Sequence, residues 1–319
     1  MAKHRRWRFL DYPIYLLVTG LQKILLGLSL PRTQRIGRAL GRWAGRLDRR
    51  HFRRVKDHLR LAFPDWDAAT VHSYAVRSFE HLGSLLAEIL WLPNLLKAGD
   101  YRQFVDTDAL DLLREKLGRR NFIFVTGHIG NWEWGGVAAG YRDFNLHSVM
   151  RPLDNPYLNR IMVHLREIFR QSVVPKAGAL MPLMRILHDG GSVALVADQN
   201  AGADGVFVDF FGRQASTIGS VAAIALKTGV PIAVMTMQRE PAGGKFKIHF
   251  EDLIEMPADL DKSARDQRIH DITQRFTTAL EAAIRRHPEQ WLWAHRRWKS
   301  RPPEEREQAA APVVVASRP

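Results

Sequence analysis

The chain has 319 residues, 46% of them hydrophobic, enough for one large domain or two small ones around a substantial core. It contains no cysteine, which excludes a thiol nucleophile, disulfides and thiolate metal sites and leaves the redox compartment undetermined. A net charge of +14 and a pI near 10.4 imply an anionic partner: nucleic acid, an anionic membrane face or an acidic carrier protein. The charge is dense over residues 3–60 and again over 285–301.

Residues 1–9 are basic and aromatic, and Leu10 to Leu30 is rich in Leu, Ile and Tyr. Asp11, Pro13, Gln22 and Lys23 interrupt that stretch, so its longest apolar run is short of the roughly 20 residues a span needs. No small-residue cleavage site follows. Arginines resume at Arg32, Arg35, Arg38 and Arg42, and positive charge on both flanks argues against a one-pass span. Residues 1–32 therefore read as an interfacial or shallow membrane anchor on the cytoplasmic face. A single span and an ordinary buried first helix are the alternatives.

Residues 33–97 read as helical throughout, broken at Pro64 and Pro93. Leu40, Trp43 and Leu47 recur at helical spacing; so do Phe79, Leu82, Leu85, Leu86 and Ile89, a set most simply explained as a core stripe. Arg49, Arg50, Arg53, Arg54, Lys56 and Arg60 lie on or near a helix start. They form either a solvated basic face or a contact for anionic lipid or an acidic carrier.

From 101 to 250 the pattern becomes alternating. Expected strands are Phe122–Thr126, Leu146–Met150, Ser172–Val174, Ser192–Ala197, Val206–Phe210, Pro231–Met237 and Phe246–Phe250, with helices at 132–140, 154–170, 178–189 and 216–228. That alternation predicts an α/β fold with a mostly parallel central sheet flanked by helices. Residues 263–300 return to helix and end in tryptophans alternating with basic residues, Trp291 to Lys299. This end could be a membrane-interface belt, a nucleic-acid surface or a helix docked by its Trp face. Residues 301–319 read as a disordered tail, and there is no internal repeat.

The most informative stretch is 121–136. An apolar run, Phe122 to Val125, breaks at Gly127, presents His128 and reaches Glu133 five positions later. Asn131 is a good N-cap for a helix starting at Trp132. On a continuous helix, positions five apart lie about 140° apart, so His128 and Glu133 can meet only across a turn. A histidine oriented by a carboxylate is a general base for a hydroxyl or thiol proton. Both residues also have a plain use as satisfied polar groups near a strand end.

His128, Arg151 and Asp198 each directly follow an expected strand, and in open parallel sheets sites gather at such strand ends. Arg151, before the turn Asp154-Asn155-Pro156, can bind a phosphate or carboxylate, or merely pair on the surface. Asp198 and Gln199 could hold a substrate headgroup or brace the site's own loops. Val208 to Gly212 could line a fatty-chain pocket, though core packing is the commoner use. No nucleophile elbow, P-loop, zincin or dinucleotide signature is present, and no close metal-ligand pair surrounds the 121–136 motif, so no metal is expected.

Together Gly127-His128-x4-Glu133, Arg151-Pro152-x-Asp154-Asn155-Pro156, Asp198-Gln199 and Pro288-Glu289-Gln290-Trp291-Leu292-Trp293-x-His295-Arg296-Arg297-Trp298-Lys299 resemble the late lauroyl/myristoyl acyltransferases of lipid A biosynthesis. These belong to the wider glycerolipid acyltransferase superfamily. The resemblance covers roughly residues 5 to 300, and phosphatidylinositol-mannoside acyltransferases share the pattern. It implies an enzyme at the cytoplasmic face of a bacterial inner membrane. Such an enzyme moves an acyl chain from acyl carrier protein, or acyl-CoA, to a hydroxyl of an acylated sugar lipid. No other cofactor is implied. The implied partners are acyl carrier protein, the glycolipid acceptor and the anionic membrane surface, not nucleic acid. His128 and Glu133 take the catalytic roles, and Arg151, Asn131, Asn155, Asp198 and Gln199 the substrate-binding ones. Residues 33–300 would be the acyltransferase domain. The competing expectations are an acyltransferase on another glycolipid or a lysophospholipid, and a basic membrane-surface or nucleic-acid-binding protein.

Overall fold

The computed structural model describes residues 8–241, 243–257 and 262–302. The basic segment 1–7 and nearly all of the expected tail lie outside the described residues. Among the described residues, eleven α-helices and nine strands follow in chain order. The helices are α1 (Asp11–Leu26), α2 (Leu30–Leu47), α3 (Arg49–Ala62), α4 (Ala68–Trp91), α5 (Asn94–Ala98), α6 (Asp108–Leu117), α7 (Trp132–Tyr141), α8 (Pro156–Ile168), α9 (Leu180–His188), α10 (Ser220–Thr228) and α11 (Arg265–Arg286). The strands are β1 (Val105–Asp106), β2 (Ile123–Thr126), β3 (Leu146–Met150), β4 (Ser172–Pro175), β5 (Ser192–Val196), β6 (Val206–Asp209), β7 (Gln214–Thr217), β8 (Ile232–Arg239) and β9 (Phe246–Ile254).

Seven strands form one sheet in the order β1-β9-β8-β2-β5-β3-β4, and β6 and β7 pair as a separate hairpin. β2 lies at the centre, parallel to both β5 and β8; β9 runs antiparallel to β8. The mostly parallel sheet flanked by helices is as expected. Alternate residues of each central strand serve opposite faces, as the two-residue period of a strand requires. Ile123 and Val125 join Val193, Leu195, Ile232 and Val234 against α3, α4, α9, α10 and α11. Phe122, Phe124, Ala233, Met235 and Met237 face α6 and α7 instead. The result is a sheet covered on both faces, the arrangement that parallel strands need.

The helical region 33–97 is four helices. Side-chain caps mark two starts: Asp48 accepts from the His51 amide at 3.0 Å, and Asp67 from the Thr70 amide at 2.7 Å. α3 ends before Pro64 and α4 before Pro93, because proline cannot continue a helix ladder. The Leu40-Trp43-Leu47 stripe of α2 is exposed, at 47%, 61% and 64%. Its buried face includes Gly37, Gly41 and Gly45. Without side chains, α2 packs backbone to backbone on Phe79, Gly83 and Ser84 of α4. Phe79, Leu85 and Ile89 of the expected α4 stripe are buried, whereas Leu86 is exposed.

Three other expectations change. β1 was not anticipated, being only two residues long. Residues 214–217, expected to border or begin a helix, form β7 because Ser216 and Thr217 pair with Phe207 and Val206. Arg297 secures that hairpin through the Ser216 carbonyl and the Thr217 hydroxyl, both at 2.5 Å. Residues 291–299 are not helical. They run back across the molecule as a strap that buries Trp291, Trp293, Arg297 and Trp298. Those tryptophans pack in the core, so they form neither a membrane belt nor a nucleic-acid surface.

Among the described residues, no helix is long and apolar enough to cross a membrane. α1 has 16 residues and leaves Tyr12, Ile14, Leu16, Leu17 and Ile24 exposed. It packs on α4 and α8, and Tyr12 and Tyr15 meet Tyr157.

Candidate active site

β2 delivers His128 to the carboxyl edge of the sheet, and the neighbouring β5 delivers Asp198. The two side chains meet there: His128 Nδ1 lies 2.7 Å from Asp198 Oδ1. The His128 amide donates to Asp198 Oδ2, also at 2.7 Å, and the Trp291 indole donates to the same oxygen at 2.7 Å. Burial pushes the Asp198 carboxyl up. The attraction of His128 and the three hydrogen bonds more than offset it and leave the group at about 2. An ionised Asp198 holds the imidazole proton on Nδ1 and leaves Nε2 as the free base.

The loop that carries His128 is anchored on both sides. Gly130 donates to the Gln290 carbonyl at 2.8 Å, and Asn131 to the Met237 carbonyl at 2.9 Å. Gly130 has φ +59°, and a Cβ there would collide with the Met237 carbonyl, so the turn needs glycine twice over. Trp132 packs edge-on against the His128 ring at 4.8 Å between centroids.

Glu133 does not orient His128, which corrects the expectation from spacing. It sits in the first turn of α7 and holds Arg166 of α8 through two hydrogen bonds, Nε to Oε2 at 3.0 Å and Nη2 to Oε1 at 2.6 Å. The physical reason is competition: a bidentate guanidinium takes both carboxylate oxygens, and Asp198 already occupies the histidine. Arg166 Nη1 is buried without a hydrogen-bond partner among the described residues.

The remaining expected residues separate into two groups. Gln199 and Arg151 line a groove of ≈ 730 Å³ that also contains His128 and Arg166. Gln199 Nε2 lies 3.4 Å from His128 Nε2, and Arg151 is an exposed side chain on the groove wall, 3.3 Å from Asp154. The groove's apolar lining includes Leu153, Leu183, Leu195, Ile218 and Ile224. Asn131 and Asn155 point elsewhere. Asn131 is fully buried and donates to Glu88 Oε2 at 2.9 Å instead of capping α7. Asn155 caps α8 through the Tyr157 and Leu158 amides and donates to the Asp11 carbonyl of α1. Val208 and Phe210, considered for a chain pocket, are core residues.

Behind the site lies a buried ionic cluster that sequence reasoning missed. Arg239 of β8 grips Glu88 of α4 at 2.7 and 2.8 Å, and Gln34 and Asn131 donate to the same carboxylate. His81 sits against Arg239, and its burial and that positive charge push its pKa well below the usual value. This cluster ties α2, α4 and β8 to the loop before α7. No local signal reveals it, since its members are far apart in the chain. Arg166 was equally silent, one arginine among many on an amphipathic helix.

A carboxylate-braced histidine on the wall of a partly apolar groove is suited to taking a proton from a hydroxyl. The chain belongs to the bacterial lipid A biosynthesis acyltransferase family, whose model matches residues 1–300. It is 25% identical over 289 residues to the lipid A biosynthesis lauroyltransferase of Escherichia coli K12, covering 89% of this chain and 90% of that one. It is likewise 25% identical over 303 residues to the palmitoleoyltransferase of the same strain, at 92% and 94% coverage. A phosphatidylinositol mannoside acyltransferase of Mycolicibacterium smegmatis is 27% identical over 185 residues, 56% of this chain and 57% of that protein.

Proposed function

We propose that this enzyme transfers a fatty acyl chain from a thioester donor, acyl carrier protein or acyl-CoA, to a hydroxyl of a lipid A-type glycolipid. The observation that carries the reading is the His128–Asp198 pair, 2.7 Å apart, opening on an apolar groove of ≈ 730 Å³. His128 Nε2 takes the proton from the acceptor hydroxyl as its oxygen attacks the thioester carbonyl. Arg166 lines the groove together with His128 and contributes positive charge on the side where the tetrahedral oxyanion forms. The C–S bond then breaks, and the leaving thiolate recovers the proton from the imidazolium. Asp198 stabilises that imidazolium throughout. No acyl-enzyme forms, in keeping with a chain that has no cysteine and no nucleophile elbow.

The same reading places the enzyme on the cytoplasmic face of the bacterial inner membrane. The exposed apolar residues of α1, Leu17 at 73% and Ile24 at 64% among them, are suited to lie in the bilayer interface. Arg151, exposed on the groove wall, suits a phosphate of the acceptor.

The test is a donor–acceptor matrix with the purified full chain. Carrier protein loaded with C12, C14 or C16 acyl chains is offered with a lipid A precursor, a mannosylated phosphatidylinositol or a lysophospholipid. Transfer to the lipid A precursor is expected. Transfer to the lysophospholipid alone would overturn the acceptor assignment.

A further inference from the structure

Val55, Phe79, Leu82, Leu85, His128, Trp132 and the 291–294 strap line a small cavity of ≈ 20 Å³, room for about one water. Phe79 is also a wall of a cleft of ≈ 660 Å³ on the outer surface between α2, α3 and α4. Six cations line that cleft: Arg42 and Arg46 of α2, and Arg49, Arg53, Lys56 and Arg60 of α3. The α3 cations recur every three or four residues, so they occupy one helix face. Its other face, Val55, Leu59 and Ala62, is in the core. Among the described residues, Asp57 is the only acid lining the cleft. Arg42 is paired with Glu80 and Arg60 with Asp57. Arg46, Arg49, Arg53 and Lys56 have no ion-pair partner among the described residues.

We propose that this basic cleft docks an acidic carrier protein. The proposal rests on the acyl-transfer reading above and adds where the donor's carrier is held. Uncompensated cations lining a recess are placed to receive a convex acidic surface, which steers encounter and fixes register. A membrane would instead meet the exposed apolar faces of α1 and α2, where Leu17, Trp43 and Leu47 project. A nucleotide-borne thioester would engage only a few of the six cations.

The test compares wild type with the triple variant R49E/R53E/K56E, full chain, with folding checked by thermal melting. Two donors are used, acyl-loaded acidic carrier protein and an uncharged acyl-pantetheine thioester. Expected is a rise of about tenfold or more in KM for the loaded carrier in the variant, with kcat/KM for acyl-pantetheine unchanged. The wild-type KM for the carrier also rises with salt, and the variant's rises less. An unchanged carrier KM overturns the proposal. So does an equal loss with both donors, which would place the cations in the chemistry or on the acceptor. Lost binding to vesicles containing anionic phosphatidylglycerol, with the carrier KM intact, also overturns it and makes the cleft a lipid site. If wild type transfers from neither donor, the acyl-transfer reading itself fails and takes the carrier site with it.

Discussion

His128 and Asp198 stand at the same height on neighbouring parallel strands: Thr126 of β2 is in register with Val196 of β5, and each site residue lies two positions further on. Parallel pairing thus turns a separation of 70 residues into a hydrogen bond of 2.7 Å. Register sets the two residues level, and the Gly130 turn, anchored on Gln290 and Met237, fixes the loop that carries His128.

The first prediction separates the two carboxylates. Asp198→Asn should lower kcat on the order of 10²–10⁴-fold, because it removes the negative charge that supports the imidazolium and frees the wrong tautomer. It should also shift the acidic limb of the pH–rate profile. Glu133→Gln should lower activity without moving that limb, since Glu133 touches Arg166 and not His128. Kinetics of both variants across pH decide the matter; a shift with Glu133→Gln alone would restore the spacing-based dyad.

Breaking the Glu133–Arg166 pair from one side leaves a largely buried charge alone. Arg166→Met or Glu133→Gln should each destabilise by about 3 kcal/mol or more. The double variant should cost less than the sum of the two. Denaturant midpoints of the four proteins give the coupling directly.

Asp198 predicts an acid limb of stability. Its folded pKa of about 2 lies below the usual 3.8, so the folded state holds the carboxylate more tightly ionised than the unfolded chain does. The stabilisation is complete above pH 3.8 and is lost as pH falls through 2. It amounts to roughly 2 kcal/mol. Urea titrations from pH 5 to pH 2 should show that loss in wild type and a flatter curve in Asp198→Asn.

His295 acts at milder acidity. Burial, and the nearby His128 and Arg297 charges against the pull of Asp198, lower its pKa from 6.5 to about 4. Between those values the unfolded chain binds a proton that the folded one refuses, so stability falls as pH drops from 6.5 toward 4. Its Nε2 accepts from the Asn200 amide at 3.0 Å, a bond that the glutamine oxygen can replace. His295→Gln should narrow the difference in denaturant midpoint between pH 7 and pH 5.

The glycine face of α2 makes a packing prediction. A methyl at Gly41 would run into the Phe79 carbonyl of α4. Gly41→Val should force the two helices apart, cost about 1–3 kcal/mol, and open α2 to limited proteolysis. Leu40→Ala, on the exposed face of the same turn, should leave the melting temperature close to wild type.

Much of the architecture was legible because it rests on local pattern. Apolar runs ending at Gly127, Met150 and Ala197 mark strands within about a residue of where they lie, and the alternation with helices fixes a parallel sheet. The edge pieces were not legible: β1 is too short to carry a period, and β7 is paired with β6 and held by Arg297, 80 residues away. The Trp291–Lys299 segment shows the same limit from the other side. Its composition suits a membrane surface, yet three of its tryptophans are buried and one of them holds Asp198. Burial belongs to the partner as much as to the residue.

The α/β class, the lack of thiols, the basic character and the position of His128 at a strand end can all be read along the chain. The chain also carries the family resemblance. Which acid meets that histidine follows from the packed fold. Spacing along the chain offered Glu133, five positions away, because local geometry weighs only near neighbours. Strand register brought Asp198 from 70 positions away and sent Glu133 to Arg166. A carboxylate binds the cation or donor that the fold places within hydrogen-bond reach, and that placement is a property of the packed sheet and its helices.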